Sequence, residues 1–150
     1  MNDRQTKLAE ASSILGYTFN QPDWLWEALQ AAGSGVPTVG SRAVREGNKP
    51  LAGLGDRILA MAIVNIAVDQ NLTSDLGDTN ARIQVHASNA RLASLCDDIG
   101  LTGCIERNVC QQGLVSQSVK SATVEAVLGA AFKDGGMGAA QQVMQHLRLI

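Results

Sequence analysis

Two carboxylates stand where the surrounding sequence leaves little room for charge. Asp56 follows Leu54-Gly55 inside residues 51–67, where nearly every side chain is apolar or small, and Glu125 lies inside residues 116–133, a second largely apolar run. In the first run Leu51, Leu54 and Ile58 recur at helical spacing, with Leu59, Ile63 and Ile66 on another side. A helix apolar almost all round is expected to be central and buried. A carboxylate in such a helix is costly unless it is paired or binds a metal. Two of them in a dry site cannot both ionise cheaply, so a shared proton, Lys49, Arg57 or a metal must intervene. The chemistry open to the pair is acid–base work or the holding of a hard, oxygen-seeking cation. The other candidate groups read as structural. His86 lies in a run rich in Ala, Ser and Asn and suits a surface or capping position; His146 suits the C-terminal end of a helix.

These carboxylates must be positioned by helices. Residues 6–15 have helical spacing and stop at Gly16. Residues 17–21 form a connector, and Pro22 opens a helix over 22–32 with Asp23 in its first turn. Trp24, Leu25, Ala28 and Leu29 form the core face of that helix, and Trp26 points to another side, which places one tryptophan on a surface or an interface. Residues 33–50 are Gly-, Pro- and Ser-rich, long for a connection, and therefore functional or mobile. A loop over 71–79 leads into helical material over 80–99, with a cap or bend at Ser88-Asn89 and a stop at Gly100. Residues 101–113 read as a helical turn and a polar loop. A helix over 116–133 ends at Asp134-Gly135-Gly136, and a last amphipathic helix covers 137–149. No alternating run is long enough for a strand. The expected fold is all-α, one domain over residues 1–150.

Composition narrows the function. With 12 Lys and Arg against 14 Asp and Glu, the net charge of −2 gives no sign of a strong polyanion binder. Cys96, Cys104 and Cys110 are odd in number and form no CxxC pair, which fits reduced thiols. Residues 1–10 lack a secretory h-region and an Arg/Ser-rich transit pattern, and no apolar run reaches membrane length. The expected setting is intracellular, cytoplasmic with a mitochondrial alternative, without a membrane.

The order of motifs is specific. A helix ends in Leu-Gly-Tyr, a Phe-x-x-Pro start follows, and then Leu-Gly-Asp lies in an apolar helix. Ser-Asn-Ala-Arg-Leu-Ala, an Ile-Gly-Leu turn and Val-Glu-Ala-Val-Leu-Gly-Ala-Ala-Phe-Lys-Asp-Gly-Gly complete the series. The chain resembles the ribonuclease III domain over about residues 14–147. The resemblance implies an all-α endonuclease domain that dimerises around its signature helix and uses a carboxylate cluster with Mg²⁺ on double-stranded RNA. In that family carboxylates stand at Leu-Gly-Asp, four residues before it and often seven before it, and a second helix presents Asp-x-x-Glu. Here those positions hold Asp56, Ala52 and Lys49, then Ala122 and Glu125. Half of the four-carboxylate core is missing and a lysine replaces a further acid. Asp69, Asp75 or Asp78 would have to come from elsewhere to complete it.

Other departures agree. The family's Thr-His-x-Ser after the second helix is Gln30-Ala31-Ala32-Gly33, and no double-stranded-RNA-binding domain is expected within the 150 residues. The loop over 107–120 carries only Arg107 and Lys120 as charges, few for gripping a duplex. The nearest pattern is that of compact ribonuclease III-like proteins of fungi, with Thr-Val-Glu in place of Asp-x-x-Glu. Three functions follow from the resemblance and the residues. The first is a ribonuclease III-type domain with weak or lost cleavage and a weakly held Mg²⁺. The second is a non-catalytic dimeric scaffold in a ribonucleoprotein. The third is a small-molecule enzyme using Asp56 and Glu125 in the space left by Ala52 and Ala122. Leu51, Leu54 and Leu59 would need cover in a homodimer, and Gly53, Gly55 and Gly129 would allow close helix approach across it or leave room for a ligand.

Overall fold

Helix packing in this protein is set by two glycines that face each other. The computed structural model describes residues 2–72 and 75–150. Helix α1 covers Asp3–Leu15, α2 Pro22–Ala28, α3 Lys49–Asp69, α4 Leu76–Ala87, α5 Asn89–Asp98 and α6 Gln117–His146, with a 3₁₀ turn over Leu101–Cys104. The long α3 packs chiefly on α6, which also receives α5 and α2. A Cβ on Gly55 would lie 1.7 Å from the Glu125 carbonyl oxygen, and one on Gly129 would lie 2.3 Å from that of Leu51. The pairings Gly55 with Glu125 and Leu51 with Gly129 make the crossing antiparallel. The glycines therefore serve close approach inside one subunit, not across a dimer as the sequence suggested. Gly53 plays no such part, since its added Cβ would meet only Arg57 Nη1 at 3.7 Å.

The expected helices form, with differences at their ends. Gly16 closes α1 in the left-handed region at φ 65°. Ser88 caps α5 and breaks α4 from it by accepting a hydrogen bond from Arg91 N–H. The α2 helix stops at Ala28 rather than residue 32, because the chain turns to form a bridge: Ala31 N–H donates to Glu106 C=O at 2.9 Å, and Glu106 N–H to Leu29 C=O at 2.8 Å. Residues 33–50 contain a minute hairpin, β1 Thr38–Val39 and β2 Arg42–Ala43, too short for an alternating pattern to reveal. The expected loop over 71–79 is shorter, as α4 starts at Leu76 with Asp75 as its N-cap; residues 73 and 74 lie outside the described residues. The last two expected helices are one element bent at Gly136, whose φ of 75° and ψ of −166° interrupt the helical path.

Two readings of α3 change. Its buried side is a stripe through Leu51, Ala52, Gly55, Ile58, Leu59, Ala62 and Ile63, while Met61 and Val68 are half exposed, so the helix is half-submerged rather than wholly buried. By length and composition alone it could cross a membrane, contrary to the expectation that no apolar run is long enough. The face it packs on α6 accounts for that composition. Trp26 is also buried, beneath the Arg4 guanidinium of α1 at 5.2 Å, and Trp24 is the half-buried one, with Arg42 and Lys133 over its ring.

Side-chain ties close the periphery. Asp134 on α6 accepts hydrogen bonds from Tyr17 O–H at 2.7 Å, Asn20 N–H at 2.9 Å and Gln21 N–H at 2.7 Å, fixing the connector between α1 and α2. Burial and this bond push the Tyr17 phenol up to about 12. Cys96 and Cys104 are buried free thiols and Cys110 is exposed.

Substituting Gly55→Ala or Gly129→Ala forces helix backbones apart. Each should lower stability by about 3 kcal/mol or more in denaturant unfolding, at or beyond the usual range for overpacking. Gly53→Ala should instead be neutral or stabilising by up to about 1 kcal/mol, the helix-propensity gain.

Candidate functional site

The site follows from the crossing. Gly55 rests against the backbone at Glu125, so the next residue, Asp56, leaves the contact beside the Glu125 side chain. Their carboxyl groups come within hydrogen-bonding reach. Partial burial, the hydrogen bond with Asp56 and the Asp56 charge, in that order, push the Glu125 carboxyl up to about 8. At neutral pH the Glu125 carboxyl therefore keeps its proton beside Asp56.

The setting differs from a dry pocket. Asp56 is exposed and Glu125 half-buried, because Asp56 emerges at the rim of the buried stripe of α3. The cations expected to neutralise the pair form no ion pair with it among the described residues. Arg57 Nη1 donates to Gly53 C=O at 2.9 Å, Lys49 is exposed in the first turn of α3, and the ion pairs among the described residues all lie elsewhere. A shared proton takes their place. Ala52 is buried and Ala122 half-buried, and neither offers an oxygen from its side chain. Four clefts lie along the surface with other linings, and neither Ala52 nor Ala122 lines any of these four.

Distant carboxylates do not join. Asp69 lies thirteen residues along α3 from Asp56, about 20 Å of helix. Asp75 caps α4, accepting from Asp78 N–H at 2.7 Å, and Asp78 pairs with Arg82. Among the described residues no three His, Cys, Asp or Glu side chains gather in a way that could hold a metal ion. His86 and His146 are exposed at the ends of α4 and α6, apart from the pair.

Asn48 supports the site and has no sequence signal of that role. It precedes Lys49-Pro50, which resembles a helix start, yet its side chain makes no cap. Instead Asn48 Nδ2 donates to Ala28 C=O at 2.8 Å and to Thr123 Oγ1 at 3.2 Å, while its N–H donates to Gln30 C=O at 2.7 Å. Thr123 Oγ1 itself donates to Val119 C=O at 2.8 Å. These bonds tie the start of α3 to α2 and to the turn of α6 that carries Glu125.

The result is a mostly helical domain in which an antiparallel crossing at two glycines brings Asp56 beside Glu125. A family model described as ribonuclease-III-like matches residues 40–149, and the chain belongs to that family. It is 24% identical over 145 residues to ribonuclease 3 of Cereibacter sphaeroides, an alignment covering 95% of this chain and 61% of that protein. It is 30% identical over 141 residues to ribonuclease 3 of Nitrosomonas eutropha, covering 91% and 53%. The chain spans 53–61% of the length of such curated relatives. Two solved structures of the nuclease domain of ribonuclease III from Campylobacter jejuni superpose with TM-scores of 0.77 and 0.76 at 20% identity, covering 92% and 99% of this chain and 93% and 95% of theirs. These likenesses establish the all-α fold.

The family normally uses Mg²⁺. Among the described residues, only Asp56 and Glu125 stand together here as oxygen donors, short of the three or more groups that could hold such an ion. When bound, the ion would supply an activated water and charge stabilisation at phosphate.

The proton on Glu125 has a measurable cost. Its carboxyl ordinarily ionises near 4.5 and in the fold near 8. Between those values the folded chain holds a proton that the unfolded chain has lost, so stability falls as pH rises through that window and levels off above it. Glu125→Gln cannot ionise. Its melting temperature should match that of the parent at pH 4 and exceed it increasingly up to pH 9, by about 2–4 °C per kcal/mol relieved for a domain of this size. Parallel melting curves across pH would show that the pair shares no proton.

Proposed function

We propose that this chain is a ribonuclease III-type domain directed at double-stranded RNA whose metal-dependent cleavage is weak or lost. One observation carries this reading: of the positions where the family pattern places its acidic cluster, only Asp56 and Glu125 carry carboxylates, and these share a proton. Each missing oxygen removes a ligand or a base for activating water, and the shared proton competes with Mg²⁺ for the remaining two. The surface supports weak handling of a duplex. In the loop over 107–120, Lys120 is paired with Asp97 at 2.8 Å and one Arg107 N–H is on Gly113 C=O, which leaves little unpaired positive charge there to replace counterions on phosphate. The low charge and the loss of catalytic oxygens also fit a scaffold role in a ribonucleoprotein. Nothing in the geometry favours the small-molecule alternative at this pair.

The same reading includes a homodimer. One of the two Campylobacter jejuni nuclease-domain structures is described as flexible in a region involved in dimer formation. In this chain Leu51 and Leu59 are buried within the subunit and Leu54 packs partly on the core, so the leucines expected to need cover have it. The candidate contact shifts along α3 to Met61 and Val68, 51% and 57% exposed, which line a shallow cleft of about 400 Å³ with Ala60, Val64 and Asn65. A two-fold contact there would bring the same apolar row against its own copy. Sedimentation should give a dimer at micromolar concentration, and Met61→Asp with Val68→Asp should yield a folded monomer. A monomeric parent chain would remove this part of the reading.

Cleavage has a direct test. Long double-stranded RNA with Mg²⁺ or Mn²⁺ should be cut slowly or not at all. The combination Lys49→Glu, Ala52→Glu and Ala122→Asp restores the acidic positions and should raise the rate by at least about a hundredfold, a typical general-base contribution. Robust cutting by the parent chain that disappears in Asp56→Asn would show that two carboxylates suffice.

A further inference from the structure

We propose that the cleft between the C-terminal half of α3, α4 and the C-terminal segment binds a small organic anion with an aliphatic tail. The cleft holds about 300 Å³, at the lower end of the size of ligand pockets. Its floor is aliphatic, built from Ile63, Ile66 and Leu149, and its rim carries Arg82, Arg91 and Arg148 with His86. None of the described residues lining it has an acidic side chain. On a chain of net charge −2, three arginines among the residues lining one apolar hollow favour negative charge attached to hydrocarbon.

The arginines have donors to spare. Arg82 uses Nη2 on Leu72 C=O at 2.7 Å, and its Nε lies 3.5 Å from Asp78, a long contact. Arg91 uses Nε on His86 C=O at 3.0 Å. The Arg148 side chain has no hydrogen-bond or ion-pair partner among the described residues. A guanidinium has five N–H donors in a planar fork, so Arg91 and Arg148 can still grip an anionic head group.

Arg148 supplies an independent observation. Helix α6 closes with Arg148 N–H donating to Gln145 C=O at 3.1 Å and Leu149 N–H to Met144 C=O at 2.9 Å, around Arg148 at φ 59°. Glycine fills this left-handed closing position without steric cost, and arginine does not. The strained residue is an exposed arginine lining the cleft, while the next, Leu149, is buried and lines it too. Duplex RNA presents regularly spaced phosphates to polar surfaces and has no use for an aliphatic floor. The site is independent of the Asp56–Glu125 pair and of the reading above.

The test titrates methyl-labelled protein with sodium decanoate, followed by NMR and calorimetry. Saturable shifts should be confined to the methyls of Ile63, Ile66, Leu149 and Ile150, with hexanoate binding more weakly. Arg91→Ala with Arg148→Ala should weaken decanoate about tenfold or more, the loss expected for charge-assisted hydrogen bonds. Arg148→Gly should weaken binding yet raise the melting temperature, which separates lost affinity from lost fold. The proposal is overturned if decanol binds as tightly as decanoate, if inorganic phosphate does, or if the shifts map to Met61 and Val64. It is also overturned if a short RNA duplex produces the same shifts.

Discussion

The contact on which the rest of this structure depends is the meeting of α3 and α6 at Gly55 and Gly129. At both points one helix backbone occupies the volume a methyl group would need on the other. Close approach on this scale multiplies dispersion contacts along the crossing and fixes its angle and register together. Everything functional inherits that register. Asp56 meets Glu125 because each lies at or beside a glycine contact; a slip of one residue would turn the carboxyls to different faces of their helices.

Around that crossing, polar groups secure what packing leaves loose. The Asn48 side chain spans α2, α3 and α6 through Ala28 C=O and Thr123 Oγ1 and spends its donors where water cannot replace them. Glu27 is a less settled element of the same shell. It is 2% exposed and accepts from Arg42 Nε at 2.8 Å, while its other carboxylate oxygen is buried without a hydrogen-bond partner. Burial pushes its carboxyl up and Arg42 pulls it back. Within one small domain, a cation meets Glu27 and a proton meets Glu125, two solutions to the same desolvation problem.

Much of this was legible in the sequence. Apolar periodicity found α3 and α6, Gly16 and Gly100 marked helix ends, and Ser88 marked a break. The motif order pointed to the family and paired Asp56 with Glu125. What escaped has physical causes. Apolar content around Asp56 could not tell a half-submerged helix from a buried one, since Met61 and Val68 are hydrophobic yet face outward. Small residues signal close approach without naming the partner, so Gly55 and Gly129 suited a second subunit as well as α6. Lys49 and Arg57 are near Asp56 in sequence, but nearness along a helix does not make an ion pair: Arg57 bonds to Gly53 C=O and Lys49 stays exposed. The anchoring by Asp134 rests on contacts more than one hundred residues apart, for which no local pattern exists.

That anchoring bears on how the chain is born. The connector between α1 and α2 leaves a ribosome more than one hundred residues before Asp134, the residue that receives three of its hydrogen bonds. Gln142 Nε2 likewise donates to Gly16 C=O. The α2 helix, which packs on α6, therefore cannot dock fully until α6 has been made. For this domain synthesis and closure are separate events, and the interval between them is when a nascent chain is most open to chaperones, proteases and its own neighbours.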